Sequence, residues 1–110
     1  MLRIVRTVQT HHPKAAVEIA TEIVNHFSGK HSQKAINVFV DRFTTNGRSL
    51  HWHIDFDSLA HFETWQTEIA HDATYVKLLA KAQEKGAFVE NTMHDTIIHD
   101  LASAAKLALQ

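Results

Sequence analysis

Residues 48–56, RSLHWHIDF, alternate between large apolar and polar side chains. The apolar set is Leu50, Trp52, Ile54 and Phe56, and the polar set is His51, His53 and Asp55, followed by Asp57. Because successive side chains of a strand point to opposite faces, this alternation predicts a β-strand with one apolar and one polar face. An Asn-Gly pair at 46 and 47 separates it from a second alternating run at 35–43, AINVFVDRF, which predicts a hairpin.

The segments on either side of the hairpin supply helices and two more strands. Residues 2–9 form a short segment rich in β-branched residues, which predicts a strand. A helix is expected from Pro13 to about residue 28, where the sequence SGK provides a C-terminal stop signal. A second helical region begins near Asp57 or Ser58. One helix from 58 to 85 would be about 42 Å long, too long for so small a chain, so we expect a bend with Asp72 capping a second piece that ends at Gly86. Residues 87–100 are read as a last strand.

The element order is therefore β-α-β-β-α-β, which predicts a ferredoxin-like α+β fold with an antiparallel sheet and its helices on one face. The length of 110 residues is enough for one core. We expect a single domain over residues 1–99. Residues 100–110, which contain the sequence LASAAKLALQ, are expected to form a C-terminal tail or short helix.

Charge and cysteine content exclude several classes of protein. Eleven basic and twelve acidic residues give a formal charge of -1, and they form no basic stripe for nucleic acid or an anionic membrane. There is no cysteine, which fits a reducing compartment. Arg3 and Arg6 interrupt the apolar N-terminal run before it could act as a signal peptide or span. We expect a cytoplasmic protein that binds neither nucleic acid nor membrane.

The segment SLAHFETWQTEIAHDATYVKLLAKAQEKG, which follows the alternating strand, resembles the second half of dimeric α+β-barrel proteins. These are the antibiotic-biosynthesis-monooxygenase, stress-responsive and NIPSNAP-like families. The local match covers residues 57–86. The resemblance implies that two ferredoxin-like sheets meet face to face and close a barrel. Independently, Phe39, Phe43 and Val89 are expected on the sheet face that the helices leave open, which predicts a homodimer through that face.

The polar row of the hairpin is the first candidate site. His51 and His53 leave the same face about 7 Å apart with Asp55 next along the row, and His53, His51 and Asp55 are the predicted catalytic residues. The same row would suit a metal ion if another strand supplied a further ligand, such as His94 or Asp95. The polar face of any half-buried strand has this appearance too, and we assign no metal.

A pocket between the sheet and the helices is the second candidate. Its predicted ligand-binding residues are Arg6, Thr7, Trp52, Trp65 and Tyr75, although the aromatic side chains also fit an ordinary core. The haem-degrading branch of the similar families uses a helical tryptophan, which Trp65 matches. That branch also uses a first-strand asparagine and a haem-ligating histidine, where this chain has Thr7 and Leu79. We therefore expect no haem and no other cofactor. The histidines at 26, 31, 61 and 71 are expected near helix ends or in solvent, without a special role.

Three functions remain open. The first is a small-molecule-binding barrel that acts, in its catalytic form, as a cofactor-independent monooxygenase on an aromatic or other oxidisable organic substrate, with a histidine base in a dry cavity. The second is a non-catalytic ligand-binding or interaction dimer. The third is a metal-dependent enzyme that uses His51 and His53. The shape and lining of a cavity would separate them.

Overall fold

The computed structural model describes residues 1–41 and 48–100 and has the predicted α+β architecture. Its strands are β1 (Leu2–Thr10), β2 (Ala35–Val40), β3 (Arg48–Phe56) and β4 (His94–His99), and its helices are α1 (Pro13–Phe27), α2 (Leu59–Ala70) and α3 (Ala73–Glu84). The sheet order is β2-β3-β1-β4, with every neighbouring pair antiparallel. This is the expected ferredoxin-like order. None of the helices in the described ranges has the length and apolar character needed to cross a bilayer.

The register of the sheet separates two faces. Ile4 pairs with Ile54 and Arg6 with Trp52, so the even-numbered positions of β1 and β3 share one face. That face packs under the helices and forms a core whose fully buried members include Leu2, Ile4, Leu50, Ile54, Phe56 and Trp65. The other face, which we call the open face, carries Arg3, Val5, Thr7, Phe39, His51, His53, Asp55 and Ile98.

The predicted helix boundaries are confirmed. Pro13 lies in the first turn of α1. Backbone N–H groups of the first turn have no partner within the helix, so proline loses no hydrogen bond there. The Ser58 side chain accepts a hydrogen bond from the backbone N–H of His61 at the start of α2, and Asp72 does the same for Tyr75 at the start of α3. Gly86, with φ of +59°, ends the region as expected, since glycine adopts this conformation without steric cost.

The last strand differs from the prediction. β4 covers only His94–His99, and the preceding segment 87–93 is a loop rather than strand. Its backbone turns where Asn91 has φ of +60°, and Thr92 accepts from the Gln9 N–H while donating to the Val89 carbonyl. Val89 therefore lies beside the helices and not on the open face, which corrects its predicted role in a dimer contact.

Two expectations lie outside the described residues. They are the Asn46-Gly47 turn together with Phe43, and the tail from 101 to 110.

Candidate functional site

A cavity of about 480 Å³ lies between the sheet and helices α1, α2 and α3. This volume is within the range of small-molecule sites, which are commonly 300–1,000 Å³ and mostly apolar. Its wall is built from the helix-facing side of the sheet, from α1, α3 and Trp65 of α2, and from the 87–93 loop. The lining residues are Arg6, Val8, Ile23, Phe27, Ile36, Trp52, Ile54, Trp65, Tyr75, Leu79, Ala82, Gln83, Phe88, Val89, Glu90, Asn91 and Met93.

Four of the five predicted ligand-binding residues line this cavity: Arg6, Trp52, Trp65 and Tyr75. Thr7 does not, because it follows Arg6 in β1 and neighbouring strand residues point to opposite faces. No histidine is among the described lining residues, so the expected histidine base is absent from this wall. The polar groups that reach the cavity are instead a guanidinium, a phenol and the side chains of residues 83, 90 and 91.

Arg6 is the half-buried cation of the cavity. Its Nε and Nη2 donate to the two carboxylate oxygens of Asp95 on β4, at 2.8 and 2.9 Å, in a bidentate pair. Hydrogen bonding to Asp95 raises the pKa of Arg6 further. The guanidinium carbon lies 5.8 Å from the ring centroid of Trp65, close enough for a cation–π interaction. Arg6 is thus held rigidly from two sides.

Tyr75 supplies the second polar group. Its ring packs against Phe27 at 5.0 Å between centroids, and burial raises the pKa of its hydroxyl, although the charge of Arg6 acts in the opposite direction. Within residues 1–41 and 48–100 the hydroxyl has no hydrogen-bond partner. Trp65, by contrast, is 1% exposed and donates from Nε1 to Gln33 at 2.9 Å. The phenol is therefore available to a ligand, whereas the indole N–H is already used.

The predicted catalytic residues His51, His53 and Asp55 lie on the open face, on the other side of the sheet from the cavity. His51 joins two partners there. Its Nε2 lies 2.7 Å from Oδ1 of Asp41, and its Nδ1 lies 3.2 Å from Oγ1 of Thr7. Both ring nitrogens are thus engaged, which leaves His51 no free nitrogen for a metal. In the described part of the chain, no group of three or more histidine, aspartate or glutamate side chains is placed to hold one.

His53 lies at the centre of the open face, with its ring centroid 4.9 Å from that of Phe39. Burial lowers the pKa of His53, and the neighbouring Arg3 and His51 lower it further, against the opposite effect of Asp55. Asp55 is the weaker influence because its carboxylate is paired with Arg3, whose Nε and Nη2 lie 2.7 and 3.1 Å away. The neutral imidazole is therefore favoured at this position.

The sequence did not indicate a partly buried polar cluster at the ends of the helices. His26 Nε2 and His31 Nε2 lie 2.8 and 2.6 Å from Oδ2 of Asp72, although both histidines were expected to be without a role. Burial alone would raise the pKa of Asp72, but hydrogen bonds from the Tyr75 N–H, His31 and His26 together hold it well below its usual range. Glu68 extends the cluster by accepting from Ser32. These residues are brought together by the packing of α1 on α3 and by the loop after α1, which contacts the end of α2 through Ser32 and Glu68.

Two of the three positions at which the haem-degrading branch carries functional residues line the cavity. Leu79, the position of the haem-ligating histidine in the haem-degrading branch, lines the cavity, and so does Trp65. Thr7 faces away from it. The expectation that haem is not bound tightly stays a prediction.

Comparison with known proteins identifies the fold. No protein-family model matches the chain, and the curated proteins give no match. Among solved structures, it resembles an uncharacterised NIPSNAP domain protein from Burkholderia xenovorans with a TM-score of 0.69 and 14% identity, covering 93% of this chain and 96% of that one. A candidate antibiotic biosynthesis monooxygenase from Deinococcus radiodurans gives 0.59 and 9%, covering 90% and 91%.

A third similar structure comes from Bacteroides fragilis and is described as a dimeric protein of unknown function with a ferredoxin-like fold. It gives a TM-score of 0.62 and 10% identity, and the match covers 89% of this chain and 94% of that one. Identities this low establish shared architecture and not shared activity. The chain therefore has the ferredoxin-like α+β fold of the NIPSNAP and antibiotic-biosynthesis-monooxygenase-like proteins, as the resemblance in its sequence implied.

Proposed function

We propose that this protein is a homodimer that binds a small, largely apolar organic ligand in the cavity between its sheet and its helices. The observation that carries the proposal is the cavity itself, which has an apolar wall and two positioned polar groups, Arg6 and the Tyr75 hydroxyl, which has no hydrogen-bond partner among the described residues. An apolar wall with a few directed polar groups is the usual composition of a small-molecule site.

A filled cavity tests the binding proposal. Ala82 is 3% exposed and lines the cavity, whereas Ala80 lies on the exposed side of the same helix. We expect Ala82→Phe to abolish binding of N-phenyl-1-naphthylamine, an uncharged fluorescent probe, and Ala80→Phe to leave it unchanged. Circular dichroism confirms that both variants are folded. Equal binding by the two variants, or no binding by the wild-type protein, would contradict the proposal.

The homodimer is proposed to form through the open face. Phe39 is 55% exposed and Ile98 is 48% exposed on this face, and a face with such side chains favours association. One of the similar structures is described as dimeric. Equilibrium sedimentation at micromolar concentration is expected to give twice the mass of one chain. The cytoplasm remains the proposed location, because a chain without cysteine needs no oxidising compartment to fold.

Cofactor-independent oxygenation of the bound ligand is the catalytic extension of this function, and the fold shared with a candidate monooxygenase favours it. Such chemistry needs a base beside the substrate, and the titratable groups of the cavity wall without a hydrogen-bond partner among the described residues are Tyr75 and Glu90. Because burial raises the pKa of Tyr75, its hydroxyl acts as a donor, and the carboxylate of Glu90 is the proposed base. Oxygen consumption with an oxidisable phenol or quinol, lost in Glu90→Gln while binding persists, would demonstrate it. Binding without oxygen consumption would assign the protein to the non-catalytic alternative. His51, His53 and Asp55 are kept as proposed functional groups of the open face.

A further inference from the structure

Arg6 carries the only positive charge among the described residues that line the cavity. Left alone, a guanidinium in an apolar wall would make the cavity a site for carboxylates, sulfonates or phosphates, because bidentate pairing with such groups is among the strongest polar interactions in proteins. In this structure, a carboxylate of the protein itself pairs with Arg6 in place of such a ligand. Asp95 approaches Arg6 from β4, occupies the parallel donors Nε and Nη2, and neutralises the charge that would attract an anionic ligand.

Asp95 is well placed for this role. It pairs with Arg6 in the register of β1 and β4, so both side chains leave the same face of the sheet. It does not itself line the cavity, and so it neutralises the charge of the wall without occupying the space of a ligand. Glu90, exposed at the rim, adds a second negative charge. Because Asp95 neutralises Arg6, the negative charge of Glu90 at the rim is left without a counter-charge among the described lining residues, and it opposes an anionic ligand.

We infer that Asp95 sets the ligand selectivity of the cavity, excluding anions in favour of uncharged apolar molecules that carry a hydrogen-bond acceptor such as a carbonyl, ether or phenol oxygen. Among the described lining residues, the donors positioned for that oxygen include the Tyr75 hydroxyl and Nη1 of Arg6, which the pair with Asp95 does not use. The inference rests on the proposed binding function and adds the class of ligand and the residue that selects it.

The experiment compares two fluorescent probes that differ by a single charge. N-phenyl-1-naphthylamine is uncharged, and 1-anilinonaphthalene-8-sulfonate is the same skeleton with a sulfonate. We expect the wild-type protein to bind the uncharged probe more tightly, by about ten-fold or more, because a sulfonate must displace a charge-assisted hydrogen-bonded pair. In Asp95→Asn the ratio of the two dissociation constants should move toward the sulfonate by about ten-fold or more, because Arg6 then has no carboxylate partner.

Three further variants locate the effect. Asp57→Asn removes the same charge from an exposed carboxylate outside the cavity and should leave the ratio unchanged. The double variant Arg6→Gln with Asp95→Asn should lose the gain in sulfonate binding. Ala82→Phe should abolish binding of both probes, which separates the cavity from surface adsorption.

The outcomes distinguish the inference from the function on which it rests. A wild-type preference for the sulfonate, or a ratio that Asp95→Asn leaves unchanged while the uncharged probe still binds, would overturn the role of Asp95 and leave ligand binding intact. Failure of the wild-type protein to bind either probe would overturn the proposed function, and the selectivity with it.

Discussion

Nε2 of His31 lies 2.6 Å from Oδ2 of Asp72, and the same carboxylate accepts from the Tyr75 N–H at the start of α3. One side chain therefore caps a helix and also fixes the loop that follows α1. Because Tyr75 lines the cavity, this contact stabilises the wall of the candidate site as well as the fold. Asp72 acts on the site through Tyr75 and is a positioning residue.

Replacing Asp72 should destabilise the protein. We expect Asp72→Asn to lower the free energy of unfolding by about 1–3 kcal/mol, because an amide cannot accept from His26, His31 and the Tyr75 N–H together. Chemical denaturation measures the change. Asp57→Asn is the control, since Asp57 is 65% exposed and its ion pair with Lys34 is long.

The same carboxylate predicts acid sensitivity. The pKa of Asp72 is lower in the folded state than the ordinary value of about 3.9, so its stabilising effect is complete above about pH 4 and is lost as the pH falls below it. Asp72→Asn should therefore remove part of the decline in stability between about pH 4 and pH 2. A variant whose acid unfolding parallels that of the wild-type protein would show that Asp72 contributes nothing there.

The fold was predictable because its signals are local. Alternation in β3 fixes which face is buried, and Ser58 and Asp72 mark helix starts by residue type alone. Segment 87–93 gave no such signal. Its backbone follows the left-handed conformation of Asn91 and hydrogen bonds to Gln9, which depend on the finished sheet. A run of apolar and polar residues there looks like a strand although it is a loop.

The candidate site was predictable only in part. The side chains of Arg6 and Trp52 could be placed on one face because strand periodicity is strict, and by the same rule Thr7 belongs to the opposite face. The pairing of Arg6 with Asp95 could not be predicted, because it depends on the register between β1 and β4. The two residues are 89 positions apart in the chain. The cluster around Asp72 likewise needs the contact of α1 with α3.

A charge on the open face should separate the proposed dimer. We expect Phe39→Asp to give a monomer at micromolar concentration, because the substitution places a carboxylate in the contact between two sheets. Val76→Asp introduces the same change at a residue that is 50% exposed on α3 and should leave the mass unchanged. Sedimentation equilibrium measures both. A wild-type monomer would contradict the proposed dimer, and a dimer that tolerates Phe39→Asp would place its contact outside the open face.

Haem should not bind tightly. Leu79 lines the cavity but offers no ligand to iron, and the described lining residues include no histidine to replace it. After titration with haem and gel filtration, we expect the protein fraction to show no Soret band. A band that persists would contradict this prediction, and its loss in His53→Ala would assign the ligation to the open face.

The last prediction concerns His53 in the strand RSLHWHIDF. Its pKa is lowered by burial, by Arg3 and by His51, so protonation of His53 destabilises the folded protein. A second sheet packed on the open face would bury the imidazole further. For a base whose pKa is lowered, stability is complete above the unfolded value of about 6.5 and declines as the pH falls below it. Dimerisation should therefore weaken between about pH 7 and pH 5. The charged and titratable groups that face His53 are Arg3, His51 and Asp55.

We expect His53→Ala to remove more of this pH dependence than His51→Ala, because His51 is already bonded to Asp41 and Thr7. Sedimentation across this range, with His61→Ala as an exposed control, measures it. If neither histidine variant changes dimerisation or probe binding, the two imidazoles are only the polar side of a strand.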